Sequence, residues 1–186
     1  MKRLVSLVGA GCGAGLITQL GVERLRQCDA VVYDDLIPPE TLLLAPEAEH
    51  VCMGKRAGRH SAGQDEICAR LIHLAREGRR VVRLKGGDPY VFGRGGEEML
   101  ALMAAGVPCE EIPGVTSAIA VPAMAGIPVT HRGVSRGFAV VTAHTGDDDG
   151  LPGYFAALAG FPGTLVVLMG LGRLAQIAQS LVEAGR

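Results

Sequence analysis

Tryptophan is absent from this chain, and aromatic residues make up only 4% of it. No basic stripe with interleaved aromatics runs through the sequence and the net charge is −1, which excludes the electrostatic footprint of a nucleic-acid binder. A CxxC pair is also lacking: the five cysteines, Cys12, Cys28, Cys52, Cys68 and Cys109, are odd in number and widely scattered. That spacing argues against a disulfide framework and a metal site, and fits a reducing, cytoplasmic compartment. No apolar run is long enough to span a membrane. Lys2-Arg3 ahead of the apolar run 4–8 looks like the start of a signal peptide, yet the run is short and glycines follow at once. A buried strand entering a turn explains it better.

What the chain does have is hydrophobic material, 48% of its residues, and glycine, 27 of its 186 residues. Short apolar runs alternate with amphipathic stretches, which is βαβ grammar and predicts an α/β fold. Strands are expected over 4–8, 30–33, 81–84, 107–112, 138–142 and 165–169. A helix runs to about Gln27, and another is signalled by Ser61 and Gln64 as a capping box, by Ile67, Leu71 and Leu74 as an apolar stripe, and by Gly78 as a stop. Further helices are expected over 97–105 and 116–124, and a last one carries Leu174, Ile177, Leu181 and Val182 at helical spacing. Pro113-Gly114 is the candidate boundary between domains 1–113 and 114–186. The second domain offers only two clear strands, and the polar loop 145–152 supports no assignment.

Several constellations are able to carry chemistry. Gly9-Ala10-Gly11-Cys12-Gly13-Ala14 follows a strand and matches G-x-G-x-x-A, with Asp34 at the end of the second strand, where a dinucleotide-binding fold puts its ribose acid. An NAD-dependent reading therefore competes with a plain tight turn. Gly86-Gly87-Asp88-Pro89 also follows a strand, so its backbone can approach a ligand while Asp88 offers acceptors to an ammonium or hydroxyls; the plain alternative is a strand-ending turn. Arg94 stands among glycines before Glu97-Glu98, and ordering such a side chain is costly unless it grips something, while the acids favour a helix start. Lys55, Arg56, Arg59 and His60 precede a helix N-terminus, an arrangement suited to carboxylates as well as to a solvated basic loop. Thr130-His131-Arg132-Gly133 reads the same way, and His73, within a helix, reads as structural.

Taken in order, Val8-Gly9-Ala10-Gly11, Val32-Tyr33-Asp34-Asp35-Leu36, Gly54-Lys55-Arg56-Ala57-Gly58 with His60-Ser61, the block 83–98, Pro113-Gly114-Val115-Thr116-Ser117, Ala125-Gly126-Ile127-Pro128-Val129-Thr130-His131-Arg132 and Leu168-Met169-Gly170-Leu171 resemble the uroporphyrinogen-III C-methyltransferases of the tetrapyrrole methylase family. The resemblance implies two small α/β domains with the active site in the cleft between them, and a homodimer. It implies S-adenosylmethionine as cofactor, S-adenosylhomocysteine as its product and no metal. The cofactor would be gripped by Gly86, Gly87, Asp88, Val91, Thr116, Ser117 and Met169, with the Cys12 loop bordering it. The implied reaction methylates two ring carbons of uroporphyrinogen III to give precorrin-2, for sirohaem- or cobalamin-type biosynthesis. In it Asp34 is the proposed proton acceptor, Lys55 the donor, and Arg94 and Glu97 engage or deprotonate substrate. Arg56, His60, His131 and Arg132 would meet the substrate's carboxylates.

Two departures accompany the resemblance. Where the family has Gly-Pro-Gly-Asp this chain has Gly11-Cys12-Gly13-Ala14, and it stops after a helix at Arg186 where the family continues with more strands, so an incomplete second domain is expected. Two alternatives follow: a methyltransferase acting on a later corrinoid precursor, and a catalytically impaired partner subunit.

Overall fold

Alternation of apolar residues along short strands builds the first half of the molecule. The computed structural model describes residues 4–54, 63–144 and 150–186, and the chain divides into two compact units, Met1–Ser117 and Ala118–Arg186. In the first unit β1 (Leu4–Gly9), β2 (Ala30–Tyr33), β3 (Glu49–Cys52), β4 (Arg80–Lys85) and β5 (Cys109–Ile112) form a sheet in the order β3-β2-β4-β1-β5. Every pairing is parallel. Parallel strands need covered faces, and helices supply the cover. Val5, Leu7, Val32 and Val81 pack against Ile67, Leu71 and Leu74 of α3 (Gln64–Arg76) and Leu102 of α4 (Gly95–Ala104). The intervening Val8, Val31, Val82 and Leu84 pack against Leu25 of α1 (Gln19–Gln27) and against Ile37 and Ala45, which flank the short α2 (Pro39–Leu42).

Local chemistry fixes the helix ends. Thr18 caps α1 by accepting from the Gly21 N–H at 3.2 Å, which satisfies one orphan donor of the first turn. The expected capping box at α3 is corrected: Gly63 is the N-cap, so Gln64 is the first helical residue, and its amide reaches inward to Glu98 instead; Ser61 lies outside the described residues. At α4 the N-cap is Arg94, in the left-handed region at φ 57°, and Glu97 and Glu98 occupy the first turn, where the helix dipole favours negative charge.

The second unit holds two parallel strands, β6 (Phe138–Thr142) and β7 (Thr164–Leu168). Helices α6 (Leu151–Leu158) and α7 (Leu174–Glu183) enclose Val141, Ala143, Leu151, Phe155 and Ile177 as its core. Helix α5 (Ser117–Met124) begins at the division between the units. Pro113-Gly114, the expected boundary, follows β5 four residues before that division, and Gly114 is packed against Gly9 and Gly87.

Candidate functional site

Three backbone segments meet at the carboxyl ends of the central strands, the place where open parallel sheets receive ligands. A Cβ on Gly9 would lie 2.5 Å from Gly114 Cα and 2.6 Å from the Gly87 carbonyl oxygen, so the strand ends approach closely enough that only glycine fits. Gly11 and Gly87 exchange backbone hydrogen bonds of 3.2 and 2.8 Å. Asp88 locks the junction: its Oδ2 accepts from the Gly114 N–H at 3.1 Å and its Oδ1 from the Tyr90 N–H at 2.8 Å. Among the described residues the outer side of the loop is open, since a Cβ on Gly86 would meet only Leu36, at 3.5 Å, and one on Gly87 only Thr116 Cα, at 3.8 Å. Backbone is thus presented with room beside it, and Cys12, Gly86, Gly87, Asp88 and Thr116 are brought to one end of the sheet.

Below that junction runs a buried set of charges. Arg83 and Lys85 alternate with Val82 and Leu84 on β4 and so project to the α3–α4 face. Both meet Glu98, which is wholly buried: Lys85 Nζ donates to Glu98 Oε1 at 2.9 Å, Arg83 Nε at 3.3 Å and Gln64 Nε2 at 3.0 Å. Burial, and then the neighbouring Arg83 charge, push the Lys85 ammonium below its usual range, with Glu98 opposing. Arg83 Nη2 donates in turn to Asp34 Oδ2 at 3.2 Å. The other oxygen of Asp34 accepts from the Leu36 N–H at 3.1 Å, so the carboxylate is fixed from both ends.

Arg94 and Glu97 are engaged with each other, at 2.9 Å through Nε and 2.6 Å through Nη2. Each holds the other ionised: the hydrogen bond from Arg94 draws the Glu97 carboxyl below its usual range and raises the Arg94 guanidinium. Among the described residues the non-glycine positions with positive φ are Phe92, Arg94 and Met169. Such conformations cost about 1–3 kcal/mol and collect at functional sites. Two of the three carry residues named from the sequence, and Val91 lies beside the third.

In the second unit Met169 follows β7 and is 58% exposed. His131 and Arg132 are exposed, and His131 Nδ1 lies 2.9 Å from the Arg132 carbonyl oxygen. Ser117 begins α5, and Lys55, Arg56 and His60 lie outside the described residues. No cluster of His, Cys, Asp and Glu suited to a metal ion occurs among the described residues.

The dinucleotide reading does not survive this geometry. A dinucleotide fold sets its first two strands side by side, so that one cofactor spans the glycine turn and the ribose acid. Here β4 lies between β1 and β2, and Asp34 is committed to Arg83 on that intervening strand.

Comparison with known proteins decides the lineage. Residues 4–186 match the family Tetrapyrrole (Corrin/Porphyrin) Methylases. The chain belongs to the tetrapyrrole methylases. It is 48% identical over 185 residues to a siroheme synthase of Serratia proteamaculans, covering 98% of this chain and 38% of that protein. The chain thus spans about two fifths of the length of the curated relatives it matches. The Thermus thermophilus uroporphyrin III C-methyl transferase superposes with a TM-score of 0.81 at 45% identity, over 98% of this chain and 77% of that one. A cobalt precorrin-4 methyltransferase superposes with a TM-score of 0.83 at 28% identity, covering 98% of this chain and 75% of that one.

Some residues of the candidate site escaped the sequence reading. Arg83, Lys85 and Glu98 form its buried charge set, and the signal was present: two cations with period 2 in a central strand demand a buried partner. Phe92 had no signal apart from its strained backbone. Glu111 on β5 is pushed above the usual carboxylate range by burial and by the charge of Asp88, a proximity that no local spacing reveals.

Proposed function

We propose that this methylase transfers methyl groups from S-adenosylmethionine to two ring carbons of uroporphyrinogen III, giving precorrin-2 and S-adenosylhomocysteine. The observation that carries this reading is 46% identity, over 98% of the chain, to the Thermus transferase in complex with S-adenosylhomocysteine. The open backbone at Gly86 and Gly87 suits a ligand with amino-acid and ribose groups, which backbone donors and acceptors can hold. Cys12, Val91, Thr116, Ser117 and Met169 complete the set assigned to the cofactor, with Asp88 shaping the loop. S-adenosylmethionine supplies a methyl group already activated by a positive sulfur, so the residues' tasks are alignment, exclusion of water and proton removal.

Asp34 takes the proton lost from the methylated ring carbon, and Lys55 is the matching donor. Arg94 receives a substrate carboxylate. Its exposed pairing with Glu97, with side chains 58% and 54% accessible, is weak enough for an incoming carboxylate to displace. Glu97, drawn below its usual range by Arg94, is a poor proton acceptor and serves to hold that arginine extended. Arg56, His60, His131 and Arg132 meet the remaining carboxylates of the macrocycle. The family resemblance further suggests a homodimer, and the scattered, odd-numbered cysteines fit a reducing, cytoplasmic compartment.

Incubation of the purified protein with S-adenosylmethionine and uroporphyrinogen III tests this, with mass spectrometry of the tetrapyrrole as readout. Gain of two methyl groups is expected. A folded protein that binds S-adenosylhomocysteine but leaves the substrate unchanged overturns the substrate assignment. Light scattering reads the dimer.

A further inference from the structure

Burying two cations and a carboxylate under a sheet is not a route to stability. Replacing such sets with apolar side chains of similar volume is often neutral or stabilising, because desolvation offsets the attraction. Arg83 is 2% exposed, Lys85 5% and Glu98 0%, so this set bears the full desolvation cost. Its shape is informative. All three donors converge on Glu98 Oε1, while Oε2 has no hydrogen-bond partner among the described residues. The guanidinium of Arg83 is spread over the Val32 and Leu84 carbonyls through Nη1, over Glu98 through Nε and over Asp34 through Nη2. Arg83 and Lys85 balance Glu98 and Asp34 in charge, and only Asp34, with a side chain 29% accessible, reaches solvent.

We infer that Glu98 is a positioning residue: acting through Arg83, it fixes the direction in which the Asp34 carboxylate faces the substrate. The role assigned to Asp34 rests on the function proposed above, whereas the mechanical link from Glu98 to Asp34 stands apart from it. The planar fork of Arg83 is what transmits the link: held at Nε by Glu98 and at Nη1 by the Val32 and Leu84 carbonyls, the guanidinium presents Nη2 to Asp34 in one direction. Glu98 is itself fixed by its place in the first turn of α4 and by Lys85 and Gln64. The backbone hydrogen bond from Leu36 to Asp34 Oδ1 provides a reporter at the far end, because its amide resonance follows the pose of that carboxylate.

The test uses the intact 186-residue chain and its Glu98→Gln variant. Glutamine keeps the volume and an acceptor at Oε1, and places its amide nitrogen where Oε2 makes no hydrogen bond to the described residues. The charge alone is removed from the contacts to Arg83 and Lys85. The Leu36 amide resonance is expected to move toward its position in Asp34→Ala, while the amides of β1 stay in place. Turnover is expected to fall about tenfold to a hundredfold, on the scale of a displaced reacting group, with affinity for S-adenosylhomocysteine within about twofold of wild type. If Glu98→Gln does not fold, Arg83→Lys serves: it leaves a cation beside Glu98 but cannot span to Asp34, and the same pair of changes is expected. A folded variant with an unmoved Leu36 resonance overturns the link. So does wild-type turnover in a folded variant of an active enzyme. An inactive wild type whose Leu36 resonance still moves on substitution leaves the link standing and overturns the proposed function alone.

Discussion

Gly9→Ala is the sharpest test of the glycine junction. The added methyl would meet Gly114 Cα and N at 2.5 Å and the Gly87 carbonyl oxygen at 2.6 Å, all of them backbone atoms. No rotamer can swing aside, so the ends of β1 and β5 must separate by about 0.9 Å to reach ordinary contact distance. Overpacking of this kind costs up to about 3 kcal/mol, and the absence of any flexible neighbour puts Gly9 at the top of that range. For a chain of this length that corresponds to a fall of roughly 6–12 °C in Tm. The same displacement opens the Gly11–Gly87 hydrogen bonds, so affinity for S-adenosylhomocysteine should drop by about tenfold or more. Gly96→Ala, in the first turn of α4, is the control, because a Cβ there meets nothing within 4 Å among the described residues, and alanine should raise stability by up to about 1 kcal/mol. Circular-dichroism melting and titration calorimetry read both effects. A Gly9→Ala protein that melts within about 2 °C of wild type refutes the argument that contacts here are backbone-limited.

Three other outcomes are expected. Alkylation with iodoacetamide should label the exposed Cys12 well before Cys28, whose thiol burial pushes up to about 11, and S-adenosylhomocysteine should slow the Cys12 reaction if the first loop borders the cofactor. Arg94→Gly relieves a left-handed arginine at φ 57°, so the melting temperature should rise by about 1–3 °C, while turnover of the carboxylate-bearing substrate falls. Glu110 accepts from Arg24 Nε at 2.6 Å and from Ser6 at 2.7 Å, and Arg24 draws its carboxyl below the usual 4.5. Its folded-state value is lowered, so its contribution is full above the unfolded value and is lost as pH falls through the folded one. Glu110→Gln should therefore cost about 1 kcal/mol at pH 7, and the gap to wild type should close in melts below about pH 4.

The strands that bury both faces were legible because they are rich in Val and Leu, with Ser6 and Arg83 as single polar interruptions: residues 4–8, 30–33 and 81–84 fall inside β1, β2 and β4. β3 escaped because it is four residues long and its first half, Glu49-His50, is polar and exposed. Helix α6 escaped because Pro152 and Gly153 read as loop signals, although proline is well tolerated in a first helical turn. The site was legible to the extent that its chemistry is local. Gly86, Gly87 and Asp88 are neighbours in sequence, and so are Arg94 and Glu97, though the sequence suggested that Arg94 reaches for a ligand and the structure pairs it with Glu97. The set of Asp34, Arg83, Lys85, Glu98 and Gln64 draws on four separate stretches of backbone, and no spacing rule announces such a meeting.

The strand order also sets when this protein can fold. β1 emerges first, but its neighbours are β4 and β5, and β2 likewise pairs only with β3 and β4. The sheet therefore waits for residues 80–85 before its two early strands can be joined, and every pairing of β1 closes a long loop. Until then β1 is an apolar strand with both edges open, the kind of species that aggregates and that chaperones shield. Folding of the first unit should be slow for its size and should tighten sharply once β4 is available. Substitutions that weaken β4 would consequently be felt as poor yield before they are felt as poor activity.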